Sequence, residues 1–249
     1  LATILGVTMG VARLSSNWLV AKLATVYVEV VRNIPLLLQI LFWYGVFQQL
    51  PSLRQSVNFG DAIFINLRGI YLPRPIFESG AEWILAALIV GILATIGMTK
   101  WAHRRQDLTG QQFPLFQASV ALIVGLPVLA ALVTGLPVSF DYPELKGFNF
   151  RGGMVILPEL MALALALTVY TAAFIAEAVR AGIQAVSRGQ TEASYSLGLR
   201  PGPTLRLVVF PQALRVILPP LTSQYLNLTK NSSLAPAIAY PDLVHIFAG

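Results

Sequence analysis

The sequence predicts an all-α protein that crosses a membrane several times. Two observations carry that prediction. Of 249 residues, 56% are hydrophobic and only 11% are charged, where a soluble domain carries about 25% charged residues. With a mean hydropathy of +0.70, a chain of this size cannot cover itself with polar surface. The apolar residues are also gathered into long runs bounded by basic or polar stretches, and a bilayer asks for about 20 apolar residues per span.

The runs can be taken in order. Leu1 to Ala12 reads as part of a spanning helix and holds Gly6-x-x-x-Gly10, a spacing that lets two helices approach closely. Arg13 to Lys22 is a short polar turn. Leu23 to Leu50 is apolar but interrupted by Glu29, Arg32 and Pro35, and the proline must break or kink a helix. Pro51 to Glu82 is polar, aromatic and proline-bearing, and is expected to be a solvent-side loop with little regular structure. Trp83 to Thr99 is uncharged, with Trp83 and Trp101 placed for the two interfaces. Lys100 to Gln112 reads as a basic loop. Leu115 to Val138 and Leu160 to Ala176 are further spans, separated by a polar loop over Ser139 to Gly153. From Leu207 to Tyr240 the pattern is punctuated by Pro211, Arg215, Pro219 and Pro220, and no uninterrupted span of twenty residues is expected there. The chain opens at Leu1 inside an apolar run and stops at Gly249, so a piece of a longer protein is expected.

The net charge is +6, but its lysines and arginines lie at the edges of the runs and report orientation. Segments 13–22, 100–112 and 180–206 hold nine of them, against five in 51–82 and 137–157. The first set is predicted cytoplasmic. No aromatic-interleaved basic patch suits nucleic acid. There are no cysteines, which excludes disulfides, thiolate metal sites and cysteine nucleophiles. His103 and His245 are isolated, and nothing clusters as a metal site. No Gly-x-x-x-x-Gly-Lys-Ser/Thr occurs, so the chain does not cradle ATP phosphates by that route. No enzyme active site is expected.

Charge inside a membrane is costly and points to function. Glu29 and Arg32 are three residues apart and share a helix face, and Glu177 and Arg180 repeat the spacing. Each pair reads either as a self-neutralising structural pair or as part of a solute path. Lys230, with Asn231 and Ser232, follows a proline-broken run, the kind of backbone that transporters use to line a cavity. Gln39 and Asn231 read equally as inter-helix contacts.

Glu192-Ala193-Ser194, then Gly198, then Val208-Val209-Phe210-Pro211 resembles the Glu-Ala-Ala…Gly…Ile-x-Leu-Pro signature of ABC importer permeases. Ser194, Val208 and Phe210 are its mild departures. Tyr27-Val-Glu-Val-Val-Arg-Asn-Ile-Pro-Leu-Leu-Leu-Gln39, Ala176–Ile183 and Leu228–Leu234 are similar to the polar amino-acid uptake family. The long stretch 51–153 is similar to that of membrane subunits of general L-amino-acid permeases.

The resemblance implies a type I importer permease with a methionine-importer-like helical core and two extra inserted spans within 51–153. It implies a single transmembrane permease domain over 1–249, and a loop at 181–206 that couples to the ATPase through Glu192, Ala193, Ser194, Gly198 and Pro211. Glu192 is expected near the start of a short helix and Gly198 at its end. No cofactor is implied for this chain itself, since ATP is hydrolysed by partner subunits. The implied partners are an ABC ATPase dimer, a second permease subunit related to this one, an extracytoplasmic amino-acid-binding protein and membrane lipid, with no nucleic acid, in the bacterial inner membrane. The candidate substrate path holds Glu29, Arg32, Gln39, Glu177, Lys230, Asn231 and Ser232. An ion-coupled secondary transporter of a small polar solute is the alternative.

Overall fold

A computed structural model describes residues 1–147 and 149–241. His245 lies outside them. The chain divides into two compact units, one built from Leu1–Val57, Ile65–Ile70 and the chain from Ile156 onward, the other from Asn58–Phe64 and Tyr71–Val155.

In the first unit, α1 (Ala2–Ala12), α2 (Trp18–Asn33), α3 (Leu36–Phe47) and α10 (Phe210–Asn231) gather around α7 (Pro158–Gln184). Asn17 starts α2, its Oδ1 accepting from the amides of Leu19 and Val20 at 3.0 and 3.4 Å, which satisfies two of the donors a helix start leaves unpaired. Pro35 ends α2 as expected. Ile34 ahead of it is extended, the conformation a following proline favours, and α3 departs at 105°.

Small residues make α7 a helix that others can approach. Ala162, Ala166, Ala172, Ala173 and Ala176 are buried along it. Leu36 and Ile40 pack with Ala162, Leu163, Ala166 and Leu167, and with Ala235 and Ile238. Ala213 and Ile217 pack with Ile175 and Val179. Three glycines set the spacing. A Cβ on Gly6 would stand 2.6 Å from the Ile175 side chain, one on Gly10 2.7 Å from the Ala176 carbonyl, and one on Gly182 2.3 Å from Ile217. The Gly6-x-x-x-Gly10 pair is therefore the contact of α1 with α7.

The second unit holds α4 (Ala81–Thr109) and a further span, α5 (Leu115–Val120) and α6 (Leu126–Val133), joined by a π-helical turn over Ala121–Gly125. Gly91 of α4 meets that turn so closely that a Cβ would come 2.5 Å from the Leu122 carbonyl. Strands Arg74–Phe77 and Val138–Asp141 pair antiparallel, as do Glu144–Lys146 and Asn149–Arg151. Phe64, Tyr71 and Phe150 stack with centroids 4.8 and 4.5 Å apart.

Three expectations are corrected. Residues 51–82 carry regular structure, including the strands Ile63–Asn66, Gly69–Leu72 and Arg74–Phe77. Each is only four residues long and just one of them, Gly69–Leu72, alternates in burial, so no strand period shows in the sequence. Lys100 to Thr109 is not a loop but the last turns of α4, which stops only at Gly110 (φ 69°). Basic residues form helix readily once out of the apolar layer.

The proline-rich stretch after Leu207 is helix throughout. Pro201–Ile238 passes as a span, and with Ala81–Thr109, Leu115–Val133 and Pro158–Gln184 it makes four among the described residues, or five if the bent α2–α3 pair is one span. The helix persists at Pro211 because a short helix, α9 (Pro201–Thr204), runs into a wide π turn, Leu205–Val209, ahead of that proline. The other π turn, Ala121–Gly125, precedes Pro127 in the same way. A proline lacks an N–H and presses on the carbonyl four residues back. The wider turn gives that carbonyl room.

Overpacking at the three close glycines generates a prediction. Gly10→Val and Gly182→Val should each destabilise the detergent-solubilised chain by about 1–3 kcal/mol or more. Gly45→Ala, where a Cβ meets nothing within 4 Å, should be neutral or stabilising by up to about 1 kcal/mol. Thermal unfolding of the three variants side by side checks the ordering.

Candidate functional site

One charged cluster lies inside the first unit. Glu177 faces outward from the small-residue row of α7, and three arginines from three elements reach it. Arg180, one turn on, donates to Glu177 Oε1 at 2.5 Å. Arg13, immediately after α1, donates to Oε2. Arg32 of α2 stands 3.6 Å from the same oxygen, its guanidinium 5.2 Å above the Phe174 ring. The Arg13 side chain is only 10% exposed. Its Nε and that of Arg180 are buried with no partner among the described residues. One carboxylate thus answers three cations, leaving the cluster at +2. Glu177–Arg180 was legible in the sequence, whereas Arg32 was grouped there with Glu29 and not with this cluster. Arg13 was not, because it reads as the start of a polar turn, and only the α1–α7 approach brings it in.

Glu29 does not pair with Arg32. It is exposed, and no hydrogen bond or ion pair holds it among the described residues. Gln39 is buried, and its Nε2 donates to the carbonyls of Val31 (2.9 Å) and Ile34 (3.0 Å). It thereby caps the end that Pro35 leaves open. Tyr27, in the same motif, donates to the Val169 carbonyl at 2.8 Å. Lys230 is exposed and Asn231 half-buried at the end of α10. The Ser232 hydroxyl donates to Thr229 O at 2.8 Å. No contact joins these last three to the Glu177 cluster among the described residues.

The second feature is α8 (Arg188–Ser196). Its end has the geometry that glycine permits. Gly198 has φ 80°, its N–H donates to Tyr195 O (2.9 Å) and the Leu199 N–H to Ser194 O (3.1 Å), the paired closure of a Schellman motif. Ser194 is buried and returns its hydroxyl to Gln190 O at 2.7 Å. A serine there is alanine-sized and self-satisfied, which explains that departure from the alanine of the signature. Glu192 corrects an expectation: it is the fifth residue of α8, past the first turn where the helix dipole acts. Glu192 and Ala193 are exposed, as are Tyr195 and Leu197. Behind α8 is a cavity of about 360 Å³ lined by Ser187, Gln190, Gln212 and Arg215. Gln212 bridges to Gln190 at 3.3 Å. Pro211 sits exposed in the first turn of α10.

Residues 113–247, which include α8 and α10, match the model of the binding-protein-dependent transport system inner membrane component. The chain belongs to that family. This inner membrane component is 56% identical over 246 residues to the general L-amino acid transport system permease protein AapQ of Rhizobium johnstonii, covering 98% of this chain and 62% of that one. It is 54% identical over 249 residues to the putative amino-acid ABC transporter permease protein YhdX of Escherichia coli, covering 100% and 63%. It is 47% identical over 265 residues to the glutamate/glutamine/aspartate/asparagine transport system permease protein BztB of Rhodobacter capsulatus, covering 94% and 62%. The chain thus spans a little under two thirds of the length of these relatives. With its four or more apolar helices, this component is a multi-pass membrane protein.

Two substitutions test the site's construction. Glu177→Gln leaves three guanidiniums without a counter-charge, so it should destabilise the solubilised chain, by at most the about 3–5 kcal/mol of a fully buried pair. Adding Arg13→Met should recover part of that loss. Gln39→Leu strands two carbonyls and should cost about 1–3 kcal/mol for each. Thermal melts checked by a double-mutant cycle read both.

Proposed function

We propose that the chain is the permease subunit of a binding-protein-dependent ABC importer that brings amino acids into the cell. The observation that carries the reading is α8, an exposed short helix closed by Gly198 and carrying the Glu192-Ala193-Ser194 signature. The names of its relatives point to amino acids as the cargo.

In this reading 181–206 is the coupling loop. The outer face of α8, with Glu192, Ala193, Tyr195 and Leu197, seats in a groove of the ATPase dimer. Ser194, Gly198 and Pro211 shape the loop and its exit into α10. ATP is bound and hydrolysed by the ATPase subunits alone. Motion of α8 passes through Leu205–Val209 to α10, and the path opens alternately outward and inward. A second, related permease completes the path, and an extracytoplasmic binding protein delivers the amino acid.

A zwitterion needs both a cation and an anion to meet it, through charge-assisted hydrogen bonds. The +2 charge of the Glu177 cluster suits a carboxylate, and exposed Glu29 suits an ammonium. Lys230, Asn231 and Ser232 line the far part of the path, and Gln39 acts by holding the α2–α3 bend. The core is of the methionine-importer kind, and 51–153 is an insert carrying two extra spans. Supporting the insert is the division of the chain, which gathers Asn58–Phe64 and Tyr71–Val155 into one unit.

The test is labelled amino-acid uptake into proteoliposomes that hold the full-length subunit, its partner permease, the ATPase and the binding protein. Gly198→Asp puts a side chain at φ 80°, which costs about 1–2 kcal/mol but meets nothing within 4 Å, so the subunit should still insert. Uptake should require ATP and fall at least tenfold in the variant. Uptake that ignores ATP, or that survives the substitution unchanged, would sink the proposal.

A further inference from the structure

The inner end of α4 is the most strongly charged surface that the proposed function leaves unused. At 29 residues, α4 is about 43 Å long, while the hydrocarbon layer is about 30 Å thick. About nine residues must therefore overhang. Trp83 and Trp101, both at least half exposed, are 18 residues and so about 27 Å apart, the separation of the two interfacial belts. That places Trp101 at headgroup level and leaves Lys100–Thr109 as the overhang.

The overhang is ordered. Lys100, Trp101, Arg104, Arg105 and Leu108 fall on one helix face, at i, i+1, i+4, i+5 and i+8. After Gly110 the chain folds back, and Phe113 meets Trp101 edge to face at 5.6 Å. Gln111 accepts from Arg105 at 3.0 Å, and the Arg105 guanidinium lies 5.4 Å from the Trp101 ring centre. Arg105 is thus held in place, while Lys100 and Arg104 are exposed with no hydrogen-bond or ion-pair partner among the described residues. Asp107 is the only acidic residue in the overhang and pairs with none of them. Leu108 is 86% exposed beside them.

We infer that this face is a docking surface for anionic phospholipid headgroups of the inner leaflet. A soluble acidic partner would match the charge but not the tryptophan at headgroup depth on the same face. A lipid matches both: Lys100, Arg104 and Arg105 meet the phosphates and Trp101 sits among the glycerols. The inference needs α4 to cross a bilayer with its Lys100–Thr109 end on the cytoplasmic side, as the distribution of lysines and arginines has it. It stands apart from amino-acid import.

The experiment counts lipid. The full-length chain, in complex with its ATPase and second permease, is reconstituted with equal phosphatidylcholine and phosphatidylglycerol. It is then extracted in mild detergent, and the lipids that co-purify are measured by mass spectrometry. Phosphatidylglycerol should be enriched over phosphatidylcholine, and less so at high salt. Lys100→Gln with Arg104→Gln should lower the enrichment, by up to about fivefold per charge removed. Lys100→Glu with Arg104→Glu should invert it. Lys146→Gln with Arg151→Gln, in the opposite loop, should leave it unchanged. No enrichment in the wild type, or enrichment indifferent to the α4 substitutions, overturns the inference. So does loss of a protein subunit from the α4 variants while the lipid ratio holds, which would make the occupant a protein.

Discussion

A single carboxylate organises the first unit. Glu177 stands beside the mostly apolar buried row of α7, and three arginines gather on it. Removing any one arginine leaves a paired acid. Removing the acid leaves three cations crowded together, with two guanidinium nitrogens already unpartnered among the described residues. The asymmetry of partly buried charge, tolerable when paired and costly when orphaned, makes Glu177 the pin on which the ends of α1 and α2 and the last third of α7 agree. Close packing makes the pin possible. Without Gly6 and Gly10, α1 would stand off from α7 and Arg13 could not reach.

Around that pin, the backbone solves the same problem in two ways. Pro35 and Pro211 each take a donor out of an apolar helix. At Pro35 the helix stops, turns through 105°, and a buried glutamine from the next helix satisfies the carbonyls left behind. At Pro211 the helix continues through a widened turn. Pro127 follows the second pattern. The difference lies in what surrounds each proline. Gln39 is available one turn beyond Pro35, whereas no amide side chain stands in that position after Pro211.

Much of this was legible in the sequence, and the failures share a cause. Apolar runs, the break at Pro35 and the glycine at the end of α8 follow from local chemistry, and local chemistry is what a sequence displays. The strands between 57 and 77 were hidden because each is three or four residues long, too short to show a period, and Arg74–Phe77 finds its partner only at Val138–Asp141. Helix through Pro211 was misread because proline was treated as a stop, when a π turn can absorb it, and Pro219 and Pro220 are carried inside α10 without one. Within the charged cluster, Glu177 and Arg180 announce each other by spacing. Arg13 and Glu177 are 164 residues apart, and Arg32 was assigned to Glu29, its neighbour in sequence, when its partner is on another helix.

The π turn at Leu205–Val209 has a consequence for how this region can vary. Such a turn holds one more residue than an α-helical turn of the same rise. Deleting one residue there would restore α-helical register, but it would press the Pro211 ring onto the carbonyl four residues before it. It would also swing everything upstream, α8 included, by about 100° around the axis of α10. The outward azimuth of α8 is therefore set by chain length as much as by side chains. A single insertion or deletion between Pro201 and Pro211 would re-aim the helix without altering any residue on its surface.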